Sequence, residues 1–209
     1  MAEARTFRLR VRHGKAGRLS MLSHLEITHA LERLVRRSGL PFALSQGFSP
    51  HMKIAFGPAL PVGVGGTDEV FDVTLTAYVA PDKALSALKA SAPFDLMPQA
   101  CTYVEPQAPA ASVAFPVSSY EVCLSCPLES MRVPESVTLV RKGKEKELRC
   151  ADFLEGEPRL TPEGFTFALR SKETGSLRAD AFASALLAES CEGGVAPAIV
   201  SFTRCALSA

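Results

Sequence analysis

The sequence predicts an α+β protein: a ferredoxin-like split βαβ sandwich in the amino-terminal half, followed by a smaller antiparallel α+β domain. Three observations predict this class. The segments 7–13 and 69–79 alternate apolar and polar residues with the two-residue period of a strand. The segments 24–38 and 81–91 carry the start and stop signals of helices. The resulting order in residues 1–104 is strand, helix, strand, strand, helix and strand, which is the order of the split βαβ motif.

The first strand is predicted to have one buried, apolar face and one charged face. Residues at alternate positions of a strand point to opposite faces. The apolar face therefore carries Phe7, Leu9 and Val11, and the opposite face carries Arg8, Arg10 and Arg12.

The helix 24–38 has clear signals at both ends. Ser23 and Glu26 are spaced as a capping box, in which each side chain accepts a backbone amide near the helix start. Gly39 suits a left-handed turn at the helix end, and Pro41 prevents the helix from continuing. On a helical wheel the core side carries Ile27, Ala30, Leu31, Leu34 and Val35, and the opposite side carries His29, Arg33 and Arg36.

The chain after this helix is predicted to complete a first domain spanning 1–104. Its further elements are a hairpin of strands 41–45 and 52–56, the strand 69–79, the helix 81–91 opened by Pro81, and a last strand within 94–104. The core face of the strand 69–79 carries Phe71, Val73, Leu75, Ala77 and Val79.

The second half is predicted to be a separate, smaller domain. Residues 105–112 (EPQAPAAS) have the proline and alanine content of a linker. The domain at 113–209 is expected to contain one helix and about five strands. These are the strand 117–126, a hairpin within 136–153 that turns at 142–144, the strand 165–171, the helix 178–190 and the strand 197–207.

Composition argues for a globular protein outside the membrane. Hydrophobic residues make up 47% and charged residues 22% of the 209 residues, which is ordinary for a folded protein. No apolar run reaches the roughly 18 residues that a membrane-spanning helix needs. The charged start MAEARTFRLRVRH has no apolar segment behind it, which argues against a secretory signal. We therefore expect a cytoplasmic location and no membrane partner.

The charge of the chain is unevenly distributed. The net charge is +1, but residues 1–56 contain ten Lys or Arg and only three acidic residues, a local net charge of +7. A chain polarised in this way favours an anionic partner for its basic end. The alternative is a solvated basic face without a partner.

The six cysteines do not predict a metal centre. Cys123 and Cys126 form the one C-x-x-C, but they lie in a predicted strand, where positions i and i+3 point to opposite faces. A four-cysteine zinc site would need a second close pair, which the sequence lacks. We therefore expect buried structural thiols, no metal and no cofactor; an ion at Cys123 and Cys126 is the minority alternative.

The loop 14–18 is the best candidate for phosphate contact. Its glycines allow backbone amides to approach a ligand, and the following helix start adds the positive end of its dipole. The motif is weak, because it is neither a Walker A loop nor the G-x-G-x-x-G of dinucleotide-binding folds. A flexible loop with two solvated cations is the alternative. The predicted phosphate-binding or nucleic-acid-binding residues are Arg10, Arg12, Lys15, Gly17, Arg18, His29, Arg33 and Arg36.

Two histidines are candidates for acid–base chemistry. His24 occupies the first position of the predicted helix, where the dipole favours a neutral ring that can act as a base. His51 follows Ser49 and Pro50 in a tight turn and is expected to converge with His24 and the glycine loop. For His24 the alternative is a histidine with a purely structural role.

Three segments are distinctive: GRLSMLSHLE at 17–26, SQGFSPH at 45–51 and FGPALPVG at 56–63. Together, and with looser agreement at 140–144, 175–178 and 203–204, they resemble a bacterial family of unknown function that is described as radical-SAM-linked. The chain departs from the usual pattern at Glu26, where Asp is typical, and at 151–153. The resemblance implies a domain that is fused to, or stands beside, a radical SAM protein, with gene neighbourhoods that point to RNA or translation.

The sequence lacks the C-x-x-x-C-x-x-C motif of a radical SAM enzyme, so such chemistry would belong to the partner. The leading hypothesis is an RNA-binding accessory domain, with tRNA or rRNA as its ligand, that is not an enzyme on its own. One alternative is an RNA-processing enzyme with His24 or His51 as general base. Another is a protein–protein docking module that binds no nucleic acid.

Overall fold

A computed structural model describes residues 5–141, 143–173, 175–191 and 196–209. The chain divides into two compact units, Met1–Phe115 and Pro116–Ala209. In the described ranges, no helix combines the length and apolarity that crossing a bilayer requires.

The described part of the first unit contains four strands and two α-helices. They are β1 (Phe7–Lys15), α1 (His24–Arg37), β2 (Ile54–Phe56), β3 (Gly65–Leu75), α2 (Pro81–Ser91) and β4 (Pro98–Val104). The strands lie in the order β4-β1-β3-β2, and neighbouring strands are antiparallel. The predicted α+β class is confirmed, and the strand order agrees with a split βαβ arrangement. The closer ferredoxin-like assignment stays a prediction.

Helix α1 begins and ends where the local signals placed it. The backbone amide of Ser23 donates to the Glu26 carboxylate at 2.8 Å, and the Glu26 amide donates to the Ser23 hydroxyl at 3.4 Å. The Ser23 hydroxyl also donates to the Glu26 carboxylate at 2.7 Å, and this hydrogen bond, with that from the Ser23 amide, lowers the pKa of Glu26. Gly39 follows the helix with a φ of 71°. The buried side of the helix carries Ile27, Thr28, Leu31, Leu34 and Val35, so the predicted core side is confirmed apart from the half-buried Ala30.

Two predicted elements are wrong in extent. Residues 41–45 form no strand; they make one isolated bridge to β3 and one, Leu44 to Met52, across the loop. Strand β3 is shifted toward the amino terminus relative to the predicted 69–79. It ends early because both the amide and the hydroxyl of Thr76 donate to the carbonyl of Pro41, at 2.7 and 3.0 Å, which takes the chain out of the sheet. Ala77 is consequently exposed.

The basic face of β1 is covered. Asp72 on β3 is 3% exposed and accepts hydrogen bonds from Arg8 and Arg10, with shortest distances of 2.6 and 2.7 Å. Arg8 also donates to the carbonyl oxygens of Ala108 and Pro109, each at 2.6 Å. The segment predicted as a linker therefore belongs to the first unit and packs along this strand.

The second unit contains six described strands and one helix. They are β5 (Val117–Leu124), β6 (Ser136–Arg141), β7 (Lys144–Arg149), β8 (Arg159–Thr161), β9 (Gly164–Arg170), α3 (Ala179–Ser190) and β10 (Ile199–Ser208). Strands β10, β5, β9 and β8 are neighbours in that order, and β6 and β7 form the predicted hairpin. Its predicted turn includes Lys142, which lies outside the described residues. The short β8 was not predicted.

The cysteine prediction is partly wrong. Cys150 is buried, but Cys126 is exposed and Cys123 is half-buried. Strand β5 ends at Leu124, so Cys126 lies beyond the strand that was expected to contain it.

The buried carboxylate of Asp72 should be essential to the stability of the first unit. We expect Asp72→Asn to lower the free energy of unfolding by about 3 kcal/mol, because two guanidinium groups would keep their burial without a counter-charge. Urea denaturation followed by circular dichroism measures the change. The matched control is Asp68→Asn, which breaks the more exposed ion pair with Arg12 and should cost about 1 kcal/mol or less. Equal effects of the two substitutions would contradict this account.

Candidate nucleic-acid interface

Lys15 is directed into the protein rather than toward a ligand. Its side chain is 2% exposed, and its ammonium group donates to the carbonyl oxygens of Ser20, Leu22 and Val64 at 3.2, 3.3 and 3.1 Å. Lysine has three donors, and three carbonyls are within reach of them. Lys15 therefore ties the short 3-10 helix Gly17–Met21 to the segment before β3.

The rest of the loop 14–18 also has a structural explanation. Gly17 has a φ of 51°, and a Cβ there would lie 2.8 Å from the carboxylate of Asp95. The preceding backbone amide, that of Ala16, donates to the carbonyl of Asp95 at 2.9 Å. The loop is thus packed on an acidic residue, which opposes the approach of a phosphate. Arg18 is exposed, and of the two loop cations it alone faces solvent.

The arginines of β1 are held by carboxylates and an aromatic ring. The hydrogen bonds to Asp72 raise the pKa of Arg10 above its ordinary value. Arg12 pairs with Asp68, and the guanidinium groups of Arg10 and Arg12 each lie 5.2 Å from the ring centre of Phe115. Binding a phosphate here would require breaking these contacts.

A small, largely apolar cavity lies beside the start of α1. His24 is exposed at its mouth and packs edge-on against Phe56, with ring centres 6.1 Å apart. The cavity has a volume of about 30 Å³ and is also lined by Lys15, His13 and Glu69, room for one or two water molecules. His13 and Glu69 are 3% and 7% exposed and are opposite one another in the pairing of β1 with β3. The cavity therefore brings together several titratable side chains.

Sequence reasoning missed His13 and Glu69 as members of this cavity. The sequence does indicate that His13 is buried, because the two-residue period that buries Leu9 and Val11 continues to His13 and Lys15. In the ranges that the structure describes, no three His, Cys, Asp or Glu side chains are grouped closely enough to hold a metal ion.

His51 belongs to a different part of the unit from His24. It lies on the exposed loop 45–51, where its amide donates to the hydroxyl of Ser45 at 2.9 Å. It does not line the cavity of His24. The expected convergence of the two histidines is not seen.

The outer face of α1 carries a row of basic side chains. We call the exposed residues His29, Arg33, Arg36 and Arg37 the basic helix face. The row is about 12 Å long at 1.5 Å per residue. Sequence reasoning missed Arg37, which also donates to the carbonyl of Ser91 at 3.2 Å.

An open groove adjoins the basic helix face. It has a volume of about 900 Å³, and the described residues that line it include two cations, Arg5 and Lys53, and no carboxylate. Phe42 forms part of its wall. The guanidinium of Arg36 lies 5.5 Å from the ring centre of Phe42, so the helix cations continue to the edge of the groove. Together the two surfaces can attract an anionic chain and offer it apolar contacts.

Comparison with known families identifies the chain. Residues 8–161 match the model of a family described as "uncharacterized protein conserved in bacteria" (DUF2344). The match covers most of the chain, which therefore belongs to this bacterial family. No curated protein matches the chain.

Substitution of the buried Lys15 should cost far more stability than substitution of the exposed Arg18. We expect Lys15→Met to lower the free energy of unfolding by about 3 kcal/mol, because buried carbonyl oxygens lose their donor. The control Arg18→Met removes an exposed cation and should change the stability by no more than about 0.5 kcal/mol. Urea denaturation of both variants measures the two changes in the free energy of unfolding. A stable Lys15→Met protein with weakened anion binding would instead restore Lys15 as a ligand residue.

Proposed function

We propose that this family member is an RNA-binding accessory domain that acts with a radical SAM protein in RNA modification or translation. One observation carries the RNA-binding part of the proposal. The contact between Arg36 and Phe42 joins the basic helix face to a groove that holds Arg5 and Lys53, so cations and an aromatic wall form one continuous surface. Nucleic-acid interfaces without sequence preference combine these two elements.

The cations that would bind phosphate differ from the set that the charge of the amino-terminal region suggested. Arg8, Arg10 and Arg12 are held by Asp72 and Asp68, and Lys15 is buried. The cations that face solvent along the interface are those of the basic helix face, Arg5 and Lys53. An exposed cation loses little on meeting a phosphate, because it has no buried counter-charge to give up.

The RNA species and the partner rest on the family resemblance. The neighbourhoods of the family point to tRNA or rRNA as the ligand. The six cysteines do not form the motif that binds a radical SAM cluster, so the radical chemistry is assigned to the partner, to which this domain would present RNA.

A second candidate function is RNA processing with His24 as general base. It is favoured by the cavity that His24 shares with His13 and Glu69. Replacement of His24 by Ala should then lower the rate of cleavage of small RNAs at least about 100-fold, a usual contribution of general acid–base catalysis. Gel analysis of labelled tRNA incubated with the wild-type protein and the variant tests this function. Absence of cleavage by the wild-type protein would eliminate it.

RNA binding should be electrostatic and should depend on the basic helix face. If about four phosphates are contacted, the association constant should fall about 50-fold between 50 and 200 mM salt, at a slope of about 0.7 per phosphate. We expect Arg33→Ala/Arg37→Ala to weaken binding about tenfold and to reduce the salt slope by about 1.4. Fluorescence anisotropy with labelled RNA measures both quantities.

The matched control removes two cations from another exposed helix face. Lys83→Ala/Lys89→Ala on α2 changes the net charge by the same amount and should leave the affinity within about twofold of the wild-type value. Equal losses in both double variants would show that net charge, rather than this surface, governs binding. Capture of a protein partner without any RNA affinity would favour the docking module instead.

A further inference from the structure

Phe48 is unusual in its exposure. Among the described residues it is the large apolar side chain with the greatest exposure, 110% of its reference area. The ring of Phe48 is therefore accessible to a partner. Phe48 lies on the loop 45–51, which is flanked by the isolated bridge between Leu44 and Met52.

The loop that carries Phe48 is closed by hydrogen bonds. The amide of Ser45 donates to the carbonyl of His51 at 2.8 Å, and the amide of His51 donates back to the Ser45 hydroxyl at 2.9 Å. Gly47 has a φ of 129°, a conformation that side chains rarely adopt, and it lets the chain turn just before Phe48. The aromatic ring is therefore presented to solvent by a loop with defined ends.

Both arms of this loop contribute to the groove. Leu44 and Gln46 line it from one arm and Lys53 from the other. Phe48 follows Gln46 by two residues, so its ring is carried by a loop whose two arms line the groove.

A second aromatic cluster flanks the groove at Arg5. The guanidinium of Arg5 lies 5.3 Å from the ring centre of Phe7, and Phe7 packs edge-on against Tyr78 at 5.8 Å. Tyr78 stacks on Tyr103 with ring centres 5.1 Å apart. Tyr78 is nevertheless 61% exposed, so a further ring can approach it.

We infer that the groove binds unpaired nucleotides, with bases stacked on Phe48 and Tyr78 and phosphates held by Arg5 and Lys53. The inference rests on the proposed RNA-binding function and adds the class of RNA. Every base has a flat face that stacks on an aromatic ring, but these faces are accessible only where the strand is unpaired. A single-stranded segment is favoured over a protein partner because the lining residues carry two cations and no carboxylate.

The absence of tryptophan from the chain provides a direct test. Phe48→Trp introduces the chain's single tryptophan on the loop beside the groove, and stacking of a base should quench its fluorescence. We expect quenching when a twelve-nucleotide single-stranded RNA is added to the full chain, and none with an RNA duplex of the same length. Phe94→Trp, at another exposed phenylalanine, is the matched control and should not be quenched by either RNA.

Loss of the ring gives the complementary measurement. Phe48→Ala should weaken single-strand binding about tenfold, the size expected for one stacked base, with an unchanged salt slope, whereas Phe94→Ala should have no effect. Because Phe48 is solvated, its removal should leave the unfolding curve unchanged. Equal affinity for duplex and single strand, or equal effects of the two alanine variants, would overturn the inference and leave the proposed function standing. Absence of binding to either RNA would overturn both.

Discussion

The arrangement of charge in the first unit depends on the pairing of two arginines with one buried carboxylate. Asp72 holds Arg8 and Arg10 against the sheet, and the chain near Pro109 closes over them. A buried charge needs such a partner, because the cost of taking it out of water is several kcal/mol. Because of this pairing, Arg8 and Arg10 on the basic face of β1 make internal contacts. The cations of α1 and the groove, by contrast, face solvent.

Helix α1 links the interior of this unit to its surface. Its apolar side is buried, and the Ser23–Glu26 capping box fixes where the helix begins. With the start fixed, Arg33 and Arg37 must lie on the outer face, one turn apart. At its carboxyl end Arg36 reaches Phe42, which belongs to the groove wall. One helix thereby sets both the position of the cation row and its continuity with an aromatic surface.

The features that could be predicted from sequence are those set by neighbours along the chain. The capping box spans four residues, and the buried and exposed sides of α1 follow from the helical period, so both were correctly derived. The partners of Arg8 and Lys15 could not be derived, because Asp72 and the carbonyl of Val64 lie 64 and 49 positions away. A basic residue on a strand looks the same in sequence whether it faces water or a buried acid.

The central claim is that RNA contacts the basic helix face and the groove rather than the arginines of β1. Nuclear magnetic resonance of the full chain during titration with a short single-stranded RNA tests it most directly. The account predicts shifts at the backbone amides of Arg33, Arg37 and Lys53, with those of Arg8 and Arg10 unchanged. Shifts concentrated on β1, or no shifts at a saturating RNA concentration, would contradict it.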